Sequence, residues 1–197
     1  TGAADFNRAA RYYFTGCESG EPRACYDLGG LFYGGHGVEE SKENAAKLYE
    51  LACDAGMALG CGELGRMYYL GDLGPSDHRK ALQFYALGCK GGDHGSCSDV
   101  GIMVLSTGDE ANATKLFKLA CDGGNSYGCT NFGYMVEMGH SVPANPALAV
   151  RLYEKGCLAA DDSCGPLALM THMGRGTPAN EARAIELYEK ACRKWDV

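Results

Sequence analysis

Apolar positions along the chain follow a helical period, and the whole pattern restarts at nearly regular intervals. In "AAKLYELAC" (45–53), Ala45, Tyr49 and Cys53 lie four apart and so share one helix face. The same register returns with Ala at 9, 45, 81, 113, 149 and 184, an aromatic at Tyr13, Tyr49, Tyr85, Phe117, Tyr153 and Tyr188, and Cys at 17, 53, 89, 121, 157 and 192. These segments predict one helix type, here B, whose aromatic fills the core and whose small residues admit a neighbour. A second type, A, follows each B helix. Its apolar–small pairs are Leu28-Gly29, Leu64-Gly65, Val100-Gly101, Phe132-Gly133 and Leu167-Ala168, and Gly35, Gly71, Gly139 and Gly174 close it in the manner of a left-handed C′ residue. Between A and B stand polar, Gly- and Pro-bearing loops with cap candidates Ser41, Ser76, Asn145 and Asn180. The third of these loops, "STGDEANA", is four residues shorter than the others and predicts the tightest A–B connection.

The first cysteines step by 36, 36, 32, 36 and 35 residues, a period that signals a solenoid. The expectation is a single all-α domain over 1–197. It has an opening B helix at about 3–17, repeats at about 18–53, 54–89, 90–121, 122–157 and 158–192, and a cap at 193–197 in which Trp195 covers the last B helix.

Eleven cysteines change the picture. Five pairs recur: Cys17 with Cys25, Cys53 with Cys61, Cys89 with Cys97, Cys121 with Cys129, and Cys157 with Cys164 at one residue less. Structural zinc sites use two ligands two to four residues apart, and neither such a knuckle nor a redox CxxC occurs. Regular pairing instead favours disulfides in an oxidising compartment. Each would staple the end of a B helix to the start of the next A helix across a turn helped by Gly20, Gly56, Gly91, Gly92, Gly123 and Gly124. Cys192 either opens a sixth pair beyond Val197 or is a free thiol. Pro166 falls in the first turn of the last A helix, where proline is tolerated.

Net charge is −7 at a pI near 5.2, which argues against a nucleic-acid or anionic-membrane binder. No apolar run approaches the ~18 residues of a membrane span. The start "TGAADFNRAA" has neither Met nor an apolar signal core, so a mature or a trimmed chain lacking its signal peptide is expected.

With these motifs in hand, the chain resembles the Sel-like repeat family, a relative of tetratricopeptide repeats. "LGGLFYGGHGV" (28–38), "LGRMYYLG" (64–71) and "KLYELACDAG" (47–56) carry the likeness. The cysteine pairs resemble the disulfide-rich branch, the Helicobacter cysteine-rich proteins. The fold implied is a right-handed α–α superhelix of helix-turn-helix repeats stapled by disulfides. The resemblance implies a non-catalytic, monomeric adaptor, periplasmic or secreted, that presents a rigid concave surface to a protein or peptide. Host interaction or an immunity role is within that range. The resemblance also implies two alternatives, a penicillin-binding protein or β-lactamase and a mitochondrial intermembrane-space assembly factor.

The chemistry leans away from an enzyme. No serine has lysine three residues on, and there is no KTG, so the serine β-lactamase constellation is absent. His36, His78, His94, His140 and His172 form no HxxxH or HExxH pair, and no cofactor or metal is expected. Met67, Met103, Met135 and Met170, with Leu31, read as inter-repeat core. The face that A helices would present contains Tyr26, Asp27, Glu63, Arg66, Asp99, Ile102, Asn131, Tyr134 and Leu169. Of these, Tyr26, Arg66 and Tyr134 are not dictated by the repeat and are the strongest contact candidates. Asn112-Ala113-Thr114 is a glycosylation sequon that matters only in a eukaryotic secretory setting.

Overall fold

The computed structural model describes residues 2–192, and the side chains of all of these except 2–4, 161 and 162. Among them are eleven α-helices and no strand. Odd-numbered helices are type B: α1 (Gly2–Glu18), α3 (Lys42–Asp54), α5 (His78–Lys90), α7 (Glu110–Asp122), α9 (Pro146–Ala159) and α11 (Glu181–Cys192). Even-numbered helices are type A: α2 (Pro22–Gly34), α4 (Ala58–Leu70), α6 (His94–Ser106), α8 (Ser126–Met138) and α10 (Gly165–Met173). The expected cap with Trp195 lies outside the described residues.

The chain forms two compact units, Thr1–Ser96 and Cys97–Val197. Within each, helices pack against their neighbours in sequence, α1 to α5 in the first and α7 to α11 in the second. Tyr49, Leu64 and Met67 centre a core in the first unit, and Tyr153, Leu167 and Met170 centre one in the second. Met67, Met135 and Met170 are buried, and Met103 is half-buried.

One contact explains the repeated A-helix glycine. A Cβ at Gly29, Gly65, Gly101 or Gly133 would stand 2.6–2.9 Å from the ring of Tyr49, Tyr85, Phe117 or Tyr153. The aromatic of each following B helix packs against that glycine, and all four rings are buried. In the last repeat Ala168 takes the glycine position. There the aromatic of the following B helix, Tyr188, is 39% exposed.

Boundaries follow local chemistry. Gly139 ends α8 at φ 77°, a conformation that strains any residue with a Cβ, and Gly35, Gly71 and Gly174 end their helices alike. Ser41, Asn145 and Asn180 accept hydrogen bonds from backbone amides three residues on. The cap of α5 is Asp77 rather than Ser76. The Asp77 carboxylate accepts from Lys80 N at 3.0 Å, one residue later than the sequence reading placed it. Residues 35–41, 71–77, 139–145 and 174–180 make seven-residue A–B connections, whereas 107–109 makes one of three. At the last joint, Asp161–Cys164 winds as a 3-10 turn before Pro166 enters α10, so this A helix has nine residues where the others have thirteen.

Candidate functional site

The joints come first, because they hold the A helices in place. Cys17–Cys25, Cys53–Cys61, Cys121–Cys129 and Cys157–Cys164 are disulfides with Cα separations of 4.2–4.7 Å. Cys89 and Cys97 are also in disulfide form, and Cys192 is an exposed free thiol. Two lysines unnoticed in the sequence add to the second unit's joints. Lys155 Nζ donates to the carbonyl of Cys121, and Lys190 Nζ to that of Cys157 at 3.1 Å. Each cation thus sits at the carbonyl end of the preceding B helix, where the helix dipole favours it. Both lysines lie two residues before a B-helix cysteine, a position held by Thr15, Leu51, Leu87 and Leu119 elsewhere. That substitution is the one signal that could have marked them.

The candidate binding residues divide sharply. In the first unit they are tied to their own surroundings. Arg23 pairs with Asp27 at 3.0 Å, and the Tyr26 ring lies 5.7 Å from that of Tyr49. Burial pushes the Tyr26 phenol above its ordinary pKa. Arg66 donates to Glu63 and to the Tyr33 hydroxyl, and Tyr33 in turn donates to Asp72 at 2.9 Å. Burial opposes the Arg66 charge, but the hydrogen bonds to Tyr33 and Glu63 outweigh it and raise the pKa. Lys42 Nζ sits over the Tyr33 ring, 3.2 Å from its centroid. Its ammonium also donates to the Tyr33 carbonyl.

In the second unit the candidates converge. Helical spacing places Thr130, Tyr134 and Met138 on one stripe of α8, and Gly165 and Leu169 on the matching stripe of α10. With Asn131, Glu137, Tyr153, Pro166 and Tyr188, these residues line a cleft of about 640 Å³. Tyr134 and Leu169 are 47% and 44% exposed. The floor is polar at one point. Tyr153 Oη donates to Glu137 Oε2 at 2.7 Å, and Arg175 Nη2 lies 2.8 Å from Glu137 Oε1. Burial, then the bond to Glu137, pushes the Tyr153 phenol well above its ordinary pKa. Asp99 is half-buried on α6, and Ile102 is exposed there but does not line this cleft.

The remaining chemistry is local. His36 stacks on Phe6, the His78 ring meets that of Tyr69 at a tilt of 57°, and His140 meets Glu110 at 3.1 Å beside the Tyr134 ring. Among the described residues no group of His, Cys, Asp and Glu is arranged to hold a metal, and no helix is long and apolar enough to cross a membrane. The sequon lies in the first turns of α7. Asn112 Nδ2 donates to Asp109, and the buried Thr114 hydroxyl donates to the Glu110 carbonyl.

Disulfide-jointed helical pairs with an open A-helix face define a repeat scaffold. The Sel1 repeat family matches residues 22–57, 58–93, 95–125, 126–161 and 167–194, and the chain belongs to it. The fold is accordingly that of a Sel1-repeat solenoid, and the disulfides at its joints fit the cysteine-rich branch and an oxidising compartment. Similar solved structures include c5321, a protective antigen of uropathogenic Escherichia coli (24% identity, TM-score 0.80, 95% of this chain and 41% of that one). A Sel1 repeat protein from Oxalobacter formigenes matches at 22% identity and TM-score 0.85, over 98% of this chain and 78% of that one. The immunity protein Pa5087 from Pseudomonas aeruginosa matches at 17% and 0.66, over 95% and 74%. The chain thus spans about two fifths of the length of the E. coli antigen. No curated protein matches it.

Proposed function

We propose that this protein is a non-catalytic scaffold that binds a protein or peptide segment on the A-helix face formed by α8 and α10. We place it in the periplasm or outside the cell. The cleft of about 640 Å³ carries this reading, because it joins Asn131, Tyr134 and Leu169 with exposed apolar surface. Pockets of this size suit a few side chains of a ligand, and tyrosine supplies contact area at little entropic cost. Disulfide joints reduce the freedom lost on binding, so affinity benefits from a surface already ordered. The antigen and immunity roles of proteins with this fold are narrower versions of the same reading.

The test is selection of a random-peptide library on the oxidised chain, in parallel with the double variant Tyr134→Ala/Leu169→Ala. Sequences enriched on the parent protein should be lost on the variant. Equal enrichment on both would overturn the proposal, as would turnover of nitrocefin that a single side-chain change abolishes.

A further inference from the structure

Resting on the binding reading above, the geometry points to a specific ligand group: the α8–α10 cleft recognises an arginine side chain flanked by apolar residues. Two exposed tyrosines, Tyr134 and Tyr188, line the cleft with the buried Tyr153 beneath them, and its one charged lining residue is Glu137. No lysine or histidine lines it, and Arg175, outside the lining, reaches the Glu137 carboxylate at 2.8 Å. Ring faces and a carboxylate attract a cation, and a planar guanidinium meets both at once by stacking and by paired N–H donors. Leu169, Met138 and Pro166 complete the lining and suit the apolar neighbours of such a residue.

Arg175 shows that the Glu137 carboxylate accepts a guanidinium. It comes from the turn after α10, is 45% exposed, and holds Glu137 Oε1 at 2.8 Å. Glu137 itself is only 11% exposed, and Tyr153 keeps its other oxygen in place. The carboxylate is therefore aimed and partly desolvated, and a ligand cation reaches it by exchange with Arg175. Arg175 acts as a resident substitute that a ligand arginine displaces. Tyr188 is 39% exposed, whereas the aromatics at the same position of the four preceding B helices are buried. In the first unit the residue equivalent to Tyr134 is Arg66, itself a cation and already committed to Glu63 and Tyr33.

The test uses the full oxidised chain, labelled with 15N, and four blocked tripeptides: Ac-Leu-X-Leu-NH2 with X as Arg, Lys, norleucine or Glu. The arginine peptide should shift the amides of α8 and α10 saturably, and bind about tenfold more tightly than the norleucine peptide. Added salt should weaken the arginine peptide and leave the norleucine peptide unchanged. Glu137→Gln, which keeps the shape and the acceptor for Tyr153, should erase the difference between the two. Arg175→Gln should tighten the arginine peptide by removing its competitor. Equal binding of the arginine and norleucine peptides at α8 and α10 would overturn the guanidinium assignment and leave the binding face standing. Tightest binding by the Glu peptide would overturn it too, with Arg175 as the reading group. If no peptide shifts α8 or α10, both readings fall.

Discussion

The glycine beneath each buried aromatic is the most demanding single residue of the repeat. At Gly133 a new Cβ would stand 2.7 Å from Tyr153, whose ring is buried and whose hydroxyl is held by Glu137. Gly133→Ala gains about 1 kcal/mol in helix propensity but overpacks a site that cannot yield. The expected net is a loss of about 1–2 kcal/mol in chemical denaturation. Gly165→Ala is the contrast: at φ −55° with nothing within 4 Å, it should be neutral or stabilise by about 0.5 kcal/mol. The same buried rings set the alkaline limit. Burial raises the pKa of Tyr49 and Tyr153, so the folded state keeps protons that the unfolded chain sheds near pH ~10. Stability is therefore full below that pH and falls as pH rises above it. A tyrosinate absorbance titration should show a tyrosine class that ionises only as helical circular dichroism is lost. Smooth titration of all tyrosines in the folded protein would contradict this.

Among the elements, the joint matters more than either helix alone. A 13-residue helix is marginal in isolation, and an eight-residue separation closed by a disulfide limits the unfolded chain. Replacing Cys121 and Cys129 together by serine should cost about 2–3 kcal/mol on the loop-entropy estimate. Gly124 and the bond from Lys155 to the Cys121 carbonyl survive the change, so the helices should persist while the midpoint of unfolding drops. The joint register was legible in the sequence, since cysteine, aromatic and glycine recur at short, fixed spacings. The cap of α5 was not. Ser76 and Asp77 are adjacent acceptors, and only the backbone path into His78 decides between them.

For the whole molecule, the testable quantity is the thiol count. Ten of the eleven cysteines are in disulfides, with joints in both compact units, and Cys192 is free and exposed. The native protein should react with about one equivalent of a thiol reagent, and with all eleven cysteines once reduced and unfolded. Non-reducing peptide mapping should link each cysteine to its near neighbour in sequence. Several reactive thiols with bound zinc would overturn both the pairing and the oxidising compartment.

By itself the sequence determined the helix types, the repeat length and the cysteine joints, and it named a stripe of A-helix positions as contact candidates. These follow from contacts between residues four to eight apart, which every repeat restates. Only the tertiary structure decided which of those candidates are free. Arg66 reads as a contact residue until Tyr33, thirty-three positions earlier, is seen to hold it. Tyr188 reads as core from its place in the repeat, yet it is 39% exposed. Glu137 carries no repeat signal at all and becomes the floor of the cleft through Tyr153 and Arg175. Such pairings join residues the repeat does not dictate across long stretches of chain, so periodicity contains no record of them.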